Sequence, residues 1–226
     1  MKGFPWHPHR GIETVTYLLQ GEIEHADSIG NKGVIKSGEI QWMTAGSGII
    51  HQEMPKAYDG EMQGFQLWIN LPKDKKMTAP QYRGITKDEL AVVEYEDATI
   101  KIIAGKIGNT KGPVENLGAD VEYFDITLAG SYTHVNKKET VLIYVLEGSL
   151  TIADTILPHY HAALLKEKGD IILNAEKARF LLIAGNPFRE PVFWAGPIVM
   201  NSQKELEEAF RQLEEGKFIK TGKAYK

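Results

Sequence analysis

The feature that most constrains this chain is a β-rich run that occurs twice. Thr14 to Gly21 reads TVTYLLQG and Val141 to Gly148 reads VLIYVLEG, an offset of 127 (141 minus 14). β-Branched and aromatic residues dominate both runs, as a pleated, packed surface requires. Each run leads into a short alternating strand. Each then reaches a turn, at Gly38-Glu39 and at Gly169-Asp170, and enters another apolar strand. Short strands separated by glycine turns read as a sandwich or barrel, and the shared order reads as an internal duplication of one all-β unit. Further strands are expected at Gly64 to Leu71, Thr99 to Ala104 and from Val121 onward. Pro72 to Pro80 is expected to be irregular surface, and Gly105 to Gly118 a long loop. The division is placed there, giving domains 1–110 and 111–226. The tail differs: Ser202-x-x-Glu205 is a capping box, Leu206, Phe210 and Leu213 share one helical face, and Gly216 stands at the C-terminal cap. This predicts one amphipathic helix of about four turns on the outside of a barrel.

Composition narrows the function. A net charge of −4 offers no broad cationic surface for nucleic acid or anionic membrane. No apolar stretch approaches the ~20 residues needed to cross a bilayer, and the N-terminus lacks a signal-peptide core. There is no cysteine, which excludes disulfides, thiolate metal sites and cysteine nucleophiles. A cytoplasmic protein, monomeric or homodimeric, is expected.

The chemistry-bearing pattern is His7-Pro8-His9 with His51-Gln52-Glu53. Residues i and i+2 of a strand point to one face, so two such pairs on neighbouring strands can aim three imidazoles and a carboxylate at one point. That set suits iron, manganese, nickel, copper or zinc. Glu13 is a rival fourth ligand. Arg10 is either a surface cation or an anchor for a substrate oxyanion, and Phe4, Trp6, Trp42 and Met43 are candidates to line a pocket. The offset maps His7 onto His134, His9 onto Asn136 and Glu13 onto Thr140, and no H-x-E recurs near Ile183 to Gly185, so the metal is expected in the N-terminal unit alone. His159-Tyr160-His161 is another H-x-H, but it follows Pro158 in a turn and lacks a partner pair. No P-loop or G-x-S-x-G elbow is present.

Gly3 to Tyr17 (GFPWHPHRGIETVTY), Gln41 to Gly46 (QWMTAG) and His51-x-Glu53-Met54-Pro55 together resemble the signature of the pirin family of the cupin superfamily. Arg189 to Val192, Gly196-Pro197 and Val199 to Asn201 are similar to pirins as well. The resemblance covers nearly the whole chain. It implies two stacked cupin (jelly-roll type) β-barrels, with Fe(II) in the N-terminal one held by His7, His9, His51 and Glu53, and it favours Glu53 over Glu13. It also implies a quercetin 2,3-dioxygenase type of activity, in which a flavonol-like substrate and dioxygen meet at the metal and Glu53 serves as ligand or base. The family's alternative role is a non-catalytic, redox-sensing regulator that binds partner proteins. Pirins usually carry several tens of residues before the P-W-H-P-H segment. Here Met1 stands six residues before His7, so a shortened first barrel is expected.

Overall fold

The computed structural model describes residues 3–115, 118–166 and 168–220. They are almost entirely strands, with one α-helix. No helix among the described residues is long and apolar enough to cross a membrane. The chain divides into two compact units, Met1–Lys87 with Arg189–Lys226, and Asp88–Phe188. This division differs from the boundary at 110 expected from the glycine-rich stretch, and it assigns the C-terminal helix to the first unit.

In the first unit, β1 (Phe4–His9), β2 (Ile12–Gln20), β3 (Glu22–Asp27), β4 (Lys32–Lys36), β5 (Ile40–Thr44), β6 (Ile49–Pro55), β7 (Gln63–Asn70) and β8 (Gln81–Ile85) form two antiparallel four-stranded sheets. Their orders are β1-β6-β3-β4 and β7-β2-β5-β8. The repeated run supplies β2, and both of its faces are covered over its first seven residues. A one-residue bulge lies between Phe4 and His7 of β1, since Phe4 opposes Glu53 and His7 opposes His51. Pro5 falls inside it. β1 ends its sheet's order, a position that tolerates proline's missing N–H.

The second unit holds β9 (Ala91–Glu94), β10 (Ala98–Ala104), β11 (Lys106–Ile107), β12 (Thr110–Lys111), β13 (Val121–His134), β14 (Thr140–Ile152), β15 (Thr155–Pro158), β16 (Ala162–Leu165) and β17 (Ile171–Gly185). Long β13, β14 and β17 lie side by side, and Ile100, Phe124, Ile143, Phe180 and Leu182 fill their core. The stretch read as one long loop contains the small β11–β12 hairpin. Residues 116 and 117 of that stretch lie outside the described residues.

Residues 189–220 return to the first unit as a hairpin of β18 (Phe193–Ala195) and β19 (Ile198–Met200), followed by α1 (Gln203–Glu214). Ser202 caps α1 by accepting from the Glu205 amide at 3.2 Å, a contact worth ~1 kcal/mol. Glu205 reaches back to the Asn201 N–H (3.0 Å), one residue earlier than a standard capping box. The helix has 12 residues, a little over three turns instead of four. Its buried residues are Leu206 and Ala209, packed with Ile198, Met200, Phe218 and the partly buried Leu213. Phe210 is exposed, contrary to the face read from the sequence, because the smaller Ala209 takes the contact.

The pirin-like C-terminal segments act as fasteners on this unit. Glu190 accepts from the Lys73 amide (2.8 Å), and Asn201 donates to the Pro191 carbonyl (2.8 Å). Lys76 lies within the stretch expected to be surface, yet it is buried. Its ammonium donates to the Gly11 carbonyl (2.9 Å), Asn70 Oδ1 (2.7 Å) and the Val199 carbonyl (2.9 Å). Gly11 has φ 76°, and a Cβ there would collide with the Val199 carbonyl, so glycine is required for this approach.

Candidate metal centre

β1 and β6 are antiparallel neighbours with His7 opposite His51, and His9 lies two residues further along β1 on the same face. The structure therefore brings His7, His9 and His51 together, with one ligand nitrogen of each within 4.8 Å of the others. His7 Nε2 lies 3.0 Å from His9 Nε2 and 2.9 Å from His51 Nε2. His7 Nδ1 donates to the Pro5 carbonyl at 2.8 Å, which can only accept. In neutral His7 the proton is thus on Nδ1, and the Nε2 lone pair faces the other two rings. Orienting a ligand ring through its second nitrogen is the usual support for a metal-binding histidine. Metal–nitrogen bonds of ~2.1 Å meeting at right angles would put the nitrogens ~3.0 Å apart, so His7 stands from each of the other two rings at the spacing of neighbouring ligands on one ion.

Burial, reinforced by the neighbouring rings, lowers the pKa of His9 to about 3 and of His51 to about 2. Both imidazoles stay neutral with their lone pairs available. They also make the metal-free unit acid-sensitive. The unfolded chain binds protons at these histidines below about 6.5, while the folded protein refuses them until about 3 and about 2. Stability contributed by these groups is complete above about pH 6.5 and falls as pH drops toward those values. Melting of chelator-treated protein should therefore shift to lower temperature between about pH 7 and about pH 4. An unchanged melting temperature across that range would contradict this.

Glu53 shares the inward face of β6 with His51 and is buried, but its carboxylate is not among the converging atoms. Its Oε1 accepts from the Thr16 hydroxyl (2.9 Å), and its Oε2 from Gln66 Nε2 (2.6 Å). Glu13 lies elsewhere. Odd and even residues of β2 leave opposite faces, so Glu13 points away from the side on which Thr16 meets Glu53. It accepts instead from Thr44 at 2.6 Å.

Arg10 is neither a surface cation nor an oxyanion anchor. It is buried, donating to the Ser47 carbonyl (2.8 Å), Gln212 Oε1 (3.1 Å) and the Phe218 carbonyl (2.8 Å), with its guanidinium 4.1 Å from the Phe218 ring centre. Burial pulls its pKa down to about 10. Trp42 and Met43 are core, while Phe4 and Trp6 are exposed beside the histidines. A cavity of about 140 Å³ adjoins Glu53, with walls that include Phe4, Leu18, Ile23, Met62 and Phe65.

Several residues of the site were not read from the sequence. Gln66 and Trp68 sit on β7, where Gln66 was a visible signal as a polar residue in an apolar run. Trp68 meets His9 edge-on at 5.4 Å. His25 and Tyr82 stack at 4.9 Å, with the Tyr82 hydroxyl 2.8 Å from His25 Nε2. Only the three-dimensional pairing brings these two together.

The second unit clarifies the first. His134 opposes Ile171 as His7 opposes His51, so Ile171 and Leu173 occupy the positions of His51 and Glu53. The counterparts thus stand on the first part of β17 and not near Ile183. Both are buried in the apolar core. Among the described residues, His7, His9 and His51 form the only group of three or more potential metal ligands. His159 and His161 are exposed on a turn.

Comparison with known proteins identifies the family of the chain. The Pirin family model matches residues 1–69, and the Pirin C-terminal cupin domain model matches residues 123–219. Pirin-1 of Arabidopsis thaliana is 42% identical, over 95% of this chain and 78% of its own length. The chain belongs to the pirin family. A pirin-like protein of Caulobacter vibrioides is likewise 42% identical, over 96% of this chain and 80% of its own. Among solved structures, quercetin 2,3-dioxygenase from Acinetobacter baumannii superposes with a TM-score of 0.88 at 36% identity, covering 96% of this chain and 79% of that one. A bacterial pirin from Escherichia coli, solved in complex with nickel(II), gives 0.68 at 27% identity, covering 82% and 77%. The fold is accordingly that of a pirin with cupin barrels.

Proposed function

We propose that this pirin is a metal-dependent dioxygenase that takes a flavonol-like substrate, with iron the first candidate metal. The observation that carries the reading is the convergence of His7, His9 and His51, with His7 Nε2 about 3 Å from a ring nitrogen of each of the other two. The solved quercetin 2,3-dioxygenase relative supports the substrate class, and the nickel(II) complex of a bacterial pirin supports metal binding. The three histidines would hold the ion, which when bound supplies a redox-active centre able to engage dioxygen.

The other roles fall to the chain's own groups. A cavity of about 140 Å³ is close to the ~150 Å³ that accommodates one benzene ring. It would take one ring of a flavonol and leave the rest at the mouth, beside exposed Phe4 and Gln66. Its apolar walls would exclude water. Glu53 lines the cavity and would accept the proton of a substrate hydroxyl at a carboxylate oxygen. Ligation by Glu53, which the family resemblance implies, would use a lone pair that its bonds to Thr16 and Gln66 leave available.

Quercetin added anaerobically to Fe(II)-loaded protein, followed by air, should change the flavonol absorbance on binding and then bleach it with release of carbon monoxide. An unchanged spectrum together with no bleaching, also after nickel, manganese or copper loading, would remove the enzymatic reading.

A further inference from the structure

The Glu53 carboxylate is held by groups that form one directed chain. Trp68 Nε1 donates to Gln66 Oε1 at 3.1 Å. An indole N–H can only donate, so it fixes which end of the Gln66 amide faces it. The other end, Nε2, is thereby turned inward. It donates to Glu53 Oε2 at 2.6 Å and to Thr16 Oγ1 at 3.1 Å. Thr16 has one hydroxyl proton and gives it to Glu53 Oε1 at 2.9 Å. Every link points toward the carboxylate, and no cation takes part. Thr16 and Gln66 are direct cross-strand partners on β2 and β7, so the spacing is set by the sheet. The far end of the chain touches the histidine centre, because the Trp68 ring packs edge-on against His9.

We propose that Gln66, oriented by Trp68 and assisted by Thr16, is a positioning residue that fixes where the Glu53 carboxylate stands beside His7, His9 and His51. The inference rests on the metal-binding reading above and deepens it. Glu53 is buried, whereas Gln66 and Trp68 are exposed. A ligand that displaces the Gln66 amide or turns the Trp68 ring would therefore release or redirect a carboxylate it does not touch. Access of Glu53 to the metal and to a substrate hydroxyl is then set on β7, away from the H-x-H and H-x-E strands. Gln66 acts through Glu53, so it has no role of its own in the chemistry.

The test is a Co(II) titration of the full chain, read by the visible absorption of the bound ion and by its dissociation constant. Gln66→Leu is compared with unmodified protein, and the same change is repeated in a Glu53→Gln background. Gln66 is exposed, so the variant should fold. Trp68→Phe keeps an aromatic ring at the position but lacks the indole N–H, providing a second variant. Gln66→Leu should alter the Co(II) spectrum and change the dissociation constant by about tenfold, the scale of outer groups that orient ligands. Trp68→Phe should move the spectrum in the same direction. Both effects should vanish in the Glu53→Gln background, which a merely structural role would not produce. Unchanged spectra, or equal changes in both backgrounds, would overturn the proposal while leaving the metal site standing. No Co(II) uptake by unmodified protein would overturn the three-histidine reading and this proposal with it.

Discussion

Replacing His51 by alanine should abolish metal retention while leaving the first unit folded. His51 is the one member of the converging trio supplied by β6, opposite His7 across the strand pair. Its removal leaves two imidazoles from a single strand, with their shared point of aim open on one side. Loss of one of three ligands should exceed the 10–100-fold penalty typical of outer groups, so affinity should fall by more than about 100-fold. Stability should move the other way or not at all. His51 is a buried imidazole held neutral by its surroundings, with Nδ1 unpartnered, so alanine removes an uncompensated polar group along with the ring. The second unit shows that the strand pair tolerates an apolar residue there, since Ile171 opposes His134. Elemental analysis of protein purified without chelator or histidine tag, paired with thermal melting, separates the two effects. His159→Ala, on its exposed turn, should retain metal fully. Retention by His51→Ala at the unmodified level would place the metal elsewhere.

Lys76→Met should destabilise the first unit by a net amount of about 3 kcal/mol, from two opposed contributions. Burial lowers the pKa of this ammonium from 10.5 to about 8, with Glu190 and Glu205 opposing the shift. That depression corresponds to roughly 3 kcal/mol of unfavourable burial, which methionine relieves. Against this, the Gly11 carbonyl, Asn70 Oδ1 and the Val199 carbonyl all lose their donor. Each lost bond to a charged donor is worth about 1.5–3 kcal/mol, so the losses prevail, although the Gly11 carbonyl keeps the Leu71 N–H at 3.3 Å. The measurement is well isolated. The chain has four tryptophans, Trp6, Trp42, Trp68 and Trp194, and all lie in the unit made of 1–87 and 189–226. Urea unfolding followed by tryptophan fluorescence thus reports that unit alone. Its midpoint should fall by about 1–2 M, given typical slopes for small domains. An unmoved midpoint would mean that the three acceptors find other donors.

Much of the site was legible because strand geometry has a period of two. H-x-H and H-x-E on neighbouring strands required only that β1 and β6 pair, which they do. The repeated run was equally legible, as β2 and β14 are central strands. What escaped the sequence depends on which distant segments meet. Arg10 and Lys76 look like surface cations in isolation, since nothing local shows that residues 189–220 return to cover them. The face of α1 was misread at Phe210 because helical periodicity identifies a stripe but not which of its members the neighbour's shape admits. The Glu53 environment depends on β7 lying beside β2, a pairing that 42 intervening residues (21 to 62) conceal.

The split composition of the first unit bears on how it is made. Residues 88–188 form a contiguous unit, whereas the metal unit needs 1–87 together with the segment from 189 onward. At ~5–20 residues per second, translating the 101 intervening residues (188 minus 87) takes roughly 5–20 s. During that interval His7, His9 and His51 belong to a barrel still lacking the strand and helix that bury Arg10 and Lys76. The three histidines are therefore all translated before the segment that completes their unit, so the order of translation decides in what form that unit first presents them.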